Sequence, residues 1–204
     1  MLIDPQKMPA HEVYRYMTAC ITPRPIAWVS TISPSGVTNL APFSFFNGVG
    51  ANPPALMFAP VNRRDGSRKD TILNIEAVPE FVVNVVSEPL AQVMNATSAE
   101  FEPEISEFEA CGVGSVPSVK VKPLRVKEAA VQFECVLHQI VYVGDGPLSA
   151  NVIIGRIVLV HVEDRVLDAA GQVDSDKLAT IGRMGSSLYT RTRDRFVMER
   201  PGKP

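Results

Sequence analysis

Short apolar runs bounded by proline and glycine recur along this chain, a pattern of strands rather than of long amphipathic helices. Ile26 to Ser33, IAWVSTIS, follows Pro23 and Pro25 and runs into Pro34-Ser35-Gly36, which predicts a strand, a turn and a returning strand from Val37. ALMFAP and FVVNVV are short, apolar and rich in Val and Phe, as buried strands are. AAVQFECVLHQIVYVG and NVIIGRIVLVHVED flank the loop DGPLSA and predict a long antiparallel pair. Helix signals are few. Ser67-Arg68-Lys69-Asp70 has the S-x-x-D capping form before TILNI, with Pro79 ending the pattern. Ser87-Glu88-Pro89 opens a second helix to about Asn95, and Ser106 to Glu109 repeats the capping pattern before a turn that Gly112 terminates. Strands that follow one another without regular intervening helices argue against a doubly wound parallel sheet. They predict a mainly β fold, a closed or partly closed antiparallel barrel with a few peripheral helices. No repeat, low-complexity tract or long linker divides residues 1–204, so a single domain is expected.

Composition narrows the function classes. The 204 residues can bury roughly 70% of their unfolded surface. Hydrophobic residues make up 46% and charged residues 21%, ordinary values for a globular chain, which argue against disorder. The longest apolar run is broken by Arg156 and is too short for a membrane helix, and the charged, proline-containing N-terminus lacks a signal-peptide core. The expectation is a cytoplasmic protein without a membrane partner. A net charge of −2 gives no overall pull toward nucleic acid. Cys20, Cys111 and Cys135 form no CxxC pair, and His11, His138 and His161 are scattered, so no disulfide framework or metal site is predicted. The sequon Asn95-Ala96-Thr97 has no secretory context to use it.

The strongest local chemistry is NRRDGSRKDT, Asn62 to Thr71. Arg63, Arg64, Arg68 and Lys69 lie beside Ser67 and Thr71 at the start of a predicted helix, whose free N–H groups and dipole favour an anion. A phosphate monoester suits these donors, and a solvated basic turn is the competing reading. There is no Walker A loop, no G-x-G-x-x-G after a strand and no G-x-S-x-G, so P-loop, Rossmann and serine-hydrolase chemistry are unsupported. The carboxylates from Glu100 to Glu109 read as a solvated acidic segment. TNLAPFSFFNG mixes small residues, backbone polar groups and aromatics, a lining suited to a flat heteroaromatic ring. Flavin is the cofactor whose own chemistry makes catalytic side chains dispensable.

PRPIAWVSTIS, then G-x-x-NLAPFSFF, ANPPALMFAP and RKDTILNI, and later SEFEACG, IGRIVLVHVEDRVLD and IGRMGSSLYTRTRDRFVMERP, together resemble the flavin reductase-like family with an FMN-binding split barrel. The resemblance spans about Tyr16 to Pro201 and implies a six-stranded Greek-key barrel, a homodimer and one FMN per subunit. It implies that Ser30, Thr31 and Ile32 lie along the flavin. Asn39, Ala41, Pro42, Phe43 and Ser44 would contact its ring and ribityl chain. Arg64, Ser67, Lys69, Asp70 and Thr71 match the phosphate segment, with Asp70 as a helix cap, and Tyr189 and Arg191 match a C-terminal segment that approaches the flavin. Phe45 and Phe46 are assigned to core or dimer packing, and Trp28 to the core. The segment from about 180 to 204 is expected to pack on the barrel or on a dimer partner. The arginines Arg183, Arg191, Arg193, Arg195 and Arg200 are expected to pair in part with Glu100 to Glu109, in the same or the other subunit. The implied activity is hydride transfer from NAD(P)H to flavin, with no catalytic side chain and with a monooxygenase or another electron acceptor downstream. An FMN-binding electron carrier without rapid NAD(P)H reduction is the alternative, and a barrel-type interaction protein without cofactor a third reading.

Overall fold

The computed structural model describes residues 1–202. In chain order its elements are α1 (Ala10–Cys20), β1 (Ala27–Ile32), β2 (Thr38–Phe43), β3 (Phe46–Ala51), β4 (Pro54–Phe58), α2 (Asp70–Ala77), β5 (Glu80–Val85), α3 (Ala91–Ala96) and α4 (Glu107–Ala110). There follow β6 (Ser115–Val116), β7 (Arg125–Val126), β8 (Val131–Val143), β9 (Ala150–Val162), α5 (Ser175–Leu178), β10 (Ile181–Arg183) and β11 (Tyr189–Arg191). The fold is mainly β, as the succession of short apolar runs predicts.

One antiparallel sheet in the order β2-β1-β5-β8-β9-β4-β3 holds seven strands, not the six of the expected barrel. The extra strand is FNGVGA, whose side chains are mostly exposed and which joins β4 through its backbone ladder, with a register shift between Gly48 and Gly50. A flat sheet of seven strands would hold β2 and β3 about 29 Å apart at the usual strand spacing. Yet Ser44 and Phe45 alone join them, and three chain steps reach at most ~11 Å. The sheet therefore rolls until its edges meet. No ladder pairs β2 with β3 among the described residues, so the roll stays open along a seam rather than closing as a barrel.

Rolling buries both faces of β1. Ala27 and Val29 point inward with Phe43, Phe58, Phe81 and Ile153, and Ile72 and Ile75 of α2 plug that interior. Ile26 and Trp28 point the other way, onto Leu40, Met94, Phe108 and Val126. Trp28 is a core residue whose Nε1 donates to Thr97 Oγ1 at 2.9 Å, tying β1 to the end of α3. Gly155 is required where β9 passes Phe81, because a Cβ there would lie 2.2 Å from Phe81 Cζ.

The Pro34-Ser35-Gly36 turn carries Gly36 at φ 90°, in the left-handed region that glycine favours, and the β8–β9 pair forms as predicted. The capping expectation at Ser67 does not hold. Lys69 occupies the N-cap of α2 with no side-chain cap, and the Ser67 hydroxyl donates instead to Asp65 Oδ1 at 2.6 Å. Asp70 is the first helical residue and accepts from Arg63 Nη2 at 2.8 Å, so it caps nothing. Ser106 likewise caps α4 only through its backbone, its hydroxyl bonding Thr38 Oγ1 at 2.6 Å. Helix α1 carried no sequence signal: Pro9 caps it without a side chain and Thr18 is its buried residue. Buried Arg24 holds it in place by donating to the carbonyls of Thr18 and Ile21 at its C-terminal end and to Met184 O. Those carbonyls sit at the negative pole of the helix, which stabilises a guanidinium without a carboxylate.

The C-terminal segment divides. β10 joins the body through paired backbone bonds between Arg24 and Arg183, while Phe196, Val197 and Met198 stand almost fully exposed. Within one chain the arginines form no ion pair with Glu100 to Glu109 among the described residues: Arg191 and Arg193 both pair with Glu88, and Arg195 with Asp176.

Candidate functional site

The N-terminus of α2 opens beside the edge of β2. Asn39 Oδ1 accepts from Thr31 Oγ1 at 3.2 Å and from Thr71 Oγ1 at 2.9 Å, while Asn39 Nδ2 donates to Glu107 Oε1 at 2.6 Å. Asn74 Nδ2 donates to Thr31 Oγ1 at 3.0 Å, and the N–H of Leu40 donates to Glu107 Oε2 at 2.8 Å. Asn39, Thr31, Thr71 and Glu107 are all buried, and the network locks β1, β2, α2 and α4 together. Glu107 was expected in a solvated acidic segment; burial instead pushes its carboxyl above the usual range, against the opposing pull of the Leu40 N–H and the Asn39 amide. Its neighbours Glu102, Glu104 and Glu109 are exposed, so periodicity alone could not single it out.

Over this floor lies a cavity of about 100 Å³ lined by Asn39, Ala41, Pro42, Arg63, Lys69, Asp70 and Thr71, and by the segment Thr97 to Phe101 with Glu107. Lys69 is half-buried in its wall, its Nζ 5.6 Å above the Phe43 ring. Burial lowers its pKa and the nearby Arg63 cation lowers it further, against the opposing pull of Glu100 and Asp70, neither of which forms a salt bridge with it among the described residues. Arg63 is partly neutralised by Asp70 at 2.8 Å. A second cavity of about 220 Å³ adjoins, sharing Asn39, Asp70, Phe101 and Glu107.

The expected residues therefore separate into groups. Asn39, Ala41, Pro42, Lys69, Asp70 and Thr71 come together at one cavity. Thr31 and Phe43 support it from beneath. Arg64 and Ser67 sit exposed on the preceding turn, and Arg63, not Arg64, lines the cavity. Ser44 lies at the seam, its hydroxyl accepting from Arg24 Nε at 3.2 Å. Ile32 is half-buried at the end of β1, and Ser30 is fully buried on the opposite face, donating to Leu124 O. Tyr189 and Arg191 line a different cavity, beyond α3. Of the aromatics next to Ser44, Phe46 packs on the interior core, and Phe45 meets Tyr14 edge-on at 5.9 Å.

This donor set fits a phosphate group. A half-buried ammonium without a direct salt bridge among the described residues, a second cation and the free N–H groups of a helix start converge on one small space, whose wall also carries Asp70, Glu100 and Glu107.

The flavin reductase like domain model matches residues 18–182. The chain belongs to the flavin reductase-like family. An uncharacterized protein of Aquifex aeolicus is 45% identical over 179 residues, covering 88% of this chain and 89% of its own. The crystal structure of nitrilotriacetate monooxygenase component B from Bacillus cereus superposes with a TM-score of 0.91 at 33% identity, over 97% of this chain and 98% of that one. The 2-nitrobenzoate 2-nitroreductase NbaA of Pseudomonas fluorescens superposes with a TM-score of 0.87 at 32% identity, over 98% and 96%.

Proposed function

We propose that this protein is an FMN-binding oxidoreductase that accepts a hydride from NAD(P)H and passes the electrons on, working in the cytoplasm as a homodimer. Lys69 carries the reading. A partly desolvated ammonium that Glu100 and Asp70 offset only in part, with no direct salt bridge among the described residues, costs stability unless an anion arrives, and a phosphate monoester brings close to two negative charges and three acceptor oxygens. Lys69, Arg63 and the first N–H groups of α2, that of Thr71 among them, would hold the phosphate, with Arg64 and Ser67 on the approach. Ala41, Pro42 and Ser44 offer small side chains and backbone groups along the β2 edge, where a planar ring can come close. Asn39, braced by Thr31, Thr71 and Glu107, keeps that edge fixed. Ser30 and Ile32 act by fixing β1 behind it.

Bound FMN would supply the hydride-accepting and electron-storing chemistry, leaving the chain to bind, orient and exclude water. No side chain is needed as acid or base at the hydride step. Holding the two rings in contact removes an entropic barrier that reaches about 7 to 11 kcal/mol in well-oriented intramolecular reactions. The 100 Å³ cavity takes a phosphate and not a whole flavin, for which sites of about 300 Å³ or more are usual. A second copy of the chain would complete the site. Exposed Tyr142 and Val143, together with Phe196, Val197 and Met198, support such an interface. The likeness to a monooxygenase component supports a monooxygenase as the electron acceptor.

The absorbance spectrum of the purified protein tests the reading. The expected result is a yellow protein that NADH or NADPH bleaches under anaerobic conditions. A colourless protein that takes up no added FMN would remove it, and bound flavin that both nucleotides reduce slowly would make the protein an electron carrier.

A further inference from the structure

A cavity larger than the phosphate cradle lies elsewhere on the molecule. It measures about 540 Å³ and lies between α3, which contributes Gln92 and Asn95, and the β10–β11 hairpin, which contributes Arg183, Ser187, Tyr189 and Arg191. The turn at the end of α3 separates the two spaces: Asn95 faces this cavity, and Thr97 and Ser98 face the cradle. Asn95 also takes a hydrogen bond from Tyr189 at 3.1 Å on its Oδ1 and one from Ser98 Oγ at 2.6 Å on its carbonyl, so the wall between the sites is rigid and shared.

The chemistry of the cavity is specific. Arg183 lies over the Tyr189 ring at 4.4 Å, forming a stacked pair of flat groups at the rim. The guanidinium donates to Ser186 O, and Ser186 adopts a left-handed conformation at φ 55° that a serine rarely takes. Gly185 fixes this turn against α1, since a Cβ there would stand 3.1 Å from Ala19 Cα. Glu88 is the carboxylate of the cavity wall, and it is already shared by Arg191 and Arg193. Arg183 has no carboxylate partner among the described residues, so the wall keeps an excess of positive charge beside an aromatic face. Gln92 and Asn95 offer amide groups along the opposite side.

We propose that this cavity binds a planar-ringed anion, the ring on the Tyr189–Arg183 stack and its phosphate or carboxylate on the hairpin guanidinium groups. The volume is that of a nucleotide-sized ligand rather than a simple ion. The proposal rests on the flavoprotein reading only for the ligand's role, as the co-substrate that shares the flavin's surroundings. Tyr189 and Arg191 then belong to the second ligand rather than to the flavin.

Isothermal titration of the full-length, FMN-loaded protein with adenosine diphosphoribose and with benzoate tests this and separates a nucleotide from an aromatic acid. One of the two binds, and Arg183→Ala raises its Kd at least about tenfold while the Kd for FMN stays within about twofold. Arg183→Lys, which keeps the charge but loses the flat stack, recovers part of the affinity. If Arg183→Ala fails to fold, exposed Gln92→Trp serves instead, filling the cavity and abolishing probe binding. The proposal is overturned if neither probe binds the wild type, or if the variants weaken FMN by the same factor as the probe. Probe binding that depends on Arg183 in a protein that takes up no FMN would leave this site standing and remove the flavin reading.

Discussion

Lys69 and Glu107 face the same cavity with opposite charges and opposite burdens, and each makes a prediction. Burial, with Arg63 behind it, holds the Lys69 pKa below its ordinary 10.5, so in the window below that value the unfolded chain binds more protons than the folded one. Stability then rises with pH through that window, and near neutrality the charge is a burden that a ligand phosphate relieves. Lys69→Met is therefore expected to leave the melting temperature of FMN-free protein unchanged or higher while raising the FMN Kd at least about tenfold, read by thermal shift and fluorescence quenching. Glu107 behaves in reverse. Its folded pKa lies above 4.5, the fold holds the extra proton just above that pH, and stability is lost as pH rises through the raised value. Urea midpoints measured from pH 4.5 toward neutrality should fall, and Glu107→Gln should flatten the decline. Lys69 and Thr71 were legible because cations and hydroxyls cluster in NRRDGSRKDT. Glu107 was not: the same run of carboxylates holds exposed and buried members, and a fold is needed to tell them apart. Arg63 and Arg64 are adjacent in sequence, yet only Arg63 faces the cavity.

Elements were legible where side chains alternate against a core. β1, β2, β4, β5 and the β8–β9 pair all bury apolar faces, and their runs and turns stand out. β3 and α1 did not, because neither is defined by its own burial. The glycines of β3 contribute little but backbone, and α1 is held from outside by Arg24. The capping pattern at Ser67 misled for a related reason: Asp65, two residues back, competes for the same hydroxyl and wins, and closes a turn before the helix. Within the elements, the crossing of Gly155 and Phe81 is the tightest approach. Gly155→Ala is expected to cost about 1 to 3 kcal/mol by overpacking, measured as a lower urea midpoint with an unchanged m-value. An equal midpoint would mean that β9 can move away from β5 more freely than its ladder suggests.

At the scale of the whole molecule, the ordered set of motifs was legible as a family, and the family model agrees with it over residues 18–182. The seventh strand and the separation of Tyr189 from the cradle were not, since both depend on which distant segments meet. Light scattering should give twice the mass of one chain for the wild type, and Phe196→Ser with Met198→Ser should shift it toward one. A monomer that binds FMN with full affinity would remove the second copy from the site. The open seam also sets a clock on the amides. The outer edges of β2 and β3 have no partner strand among the described residues, so their protons should exchange with deuterated water through small local openings, whereas β5 and β8, paired on both sides, should exchange only when the whole sheet comes apart. A ligand seated along β2 would slow its amides and leave those of β5 unchanged, which makes the seam a built-in reporter of occupancy.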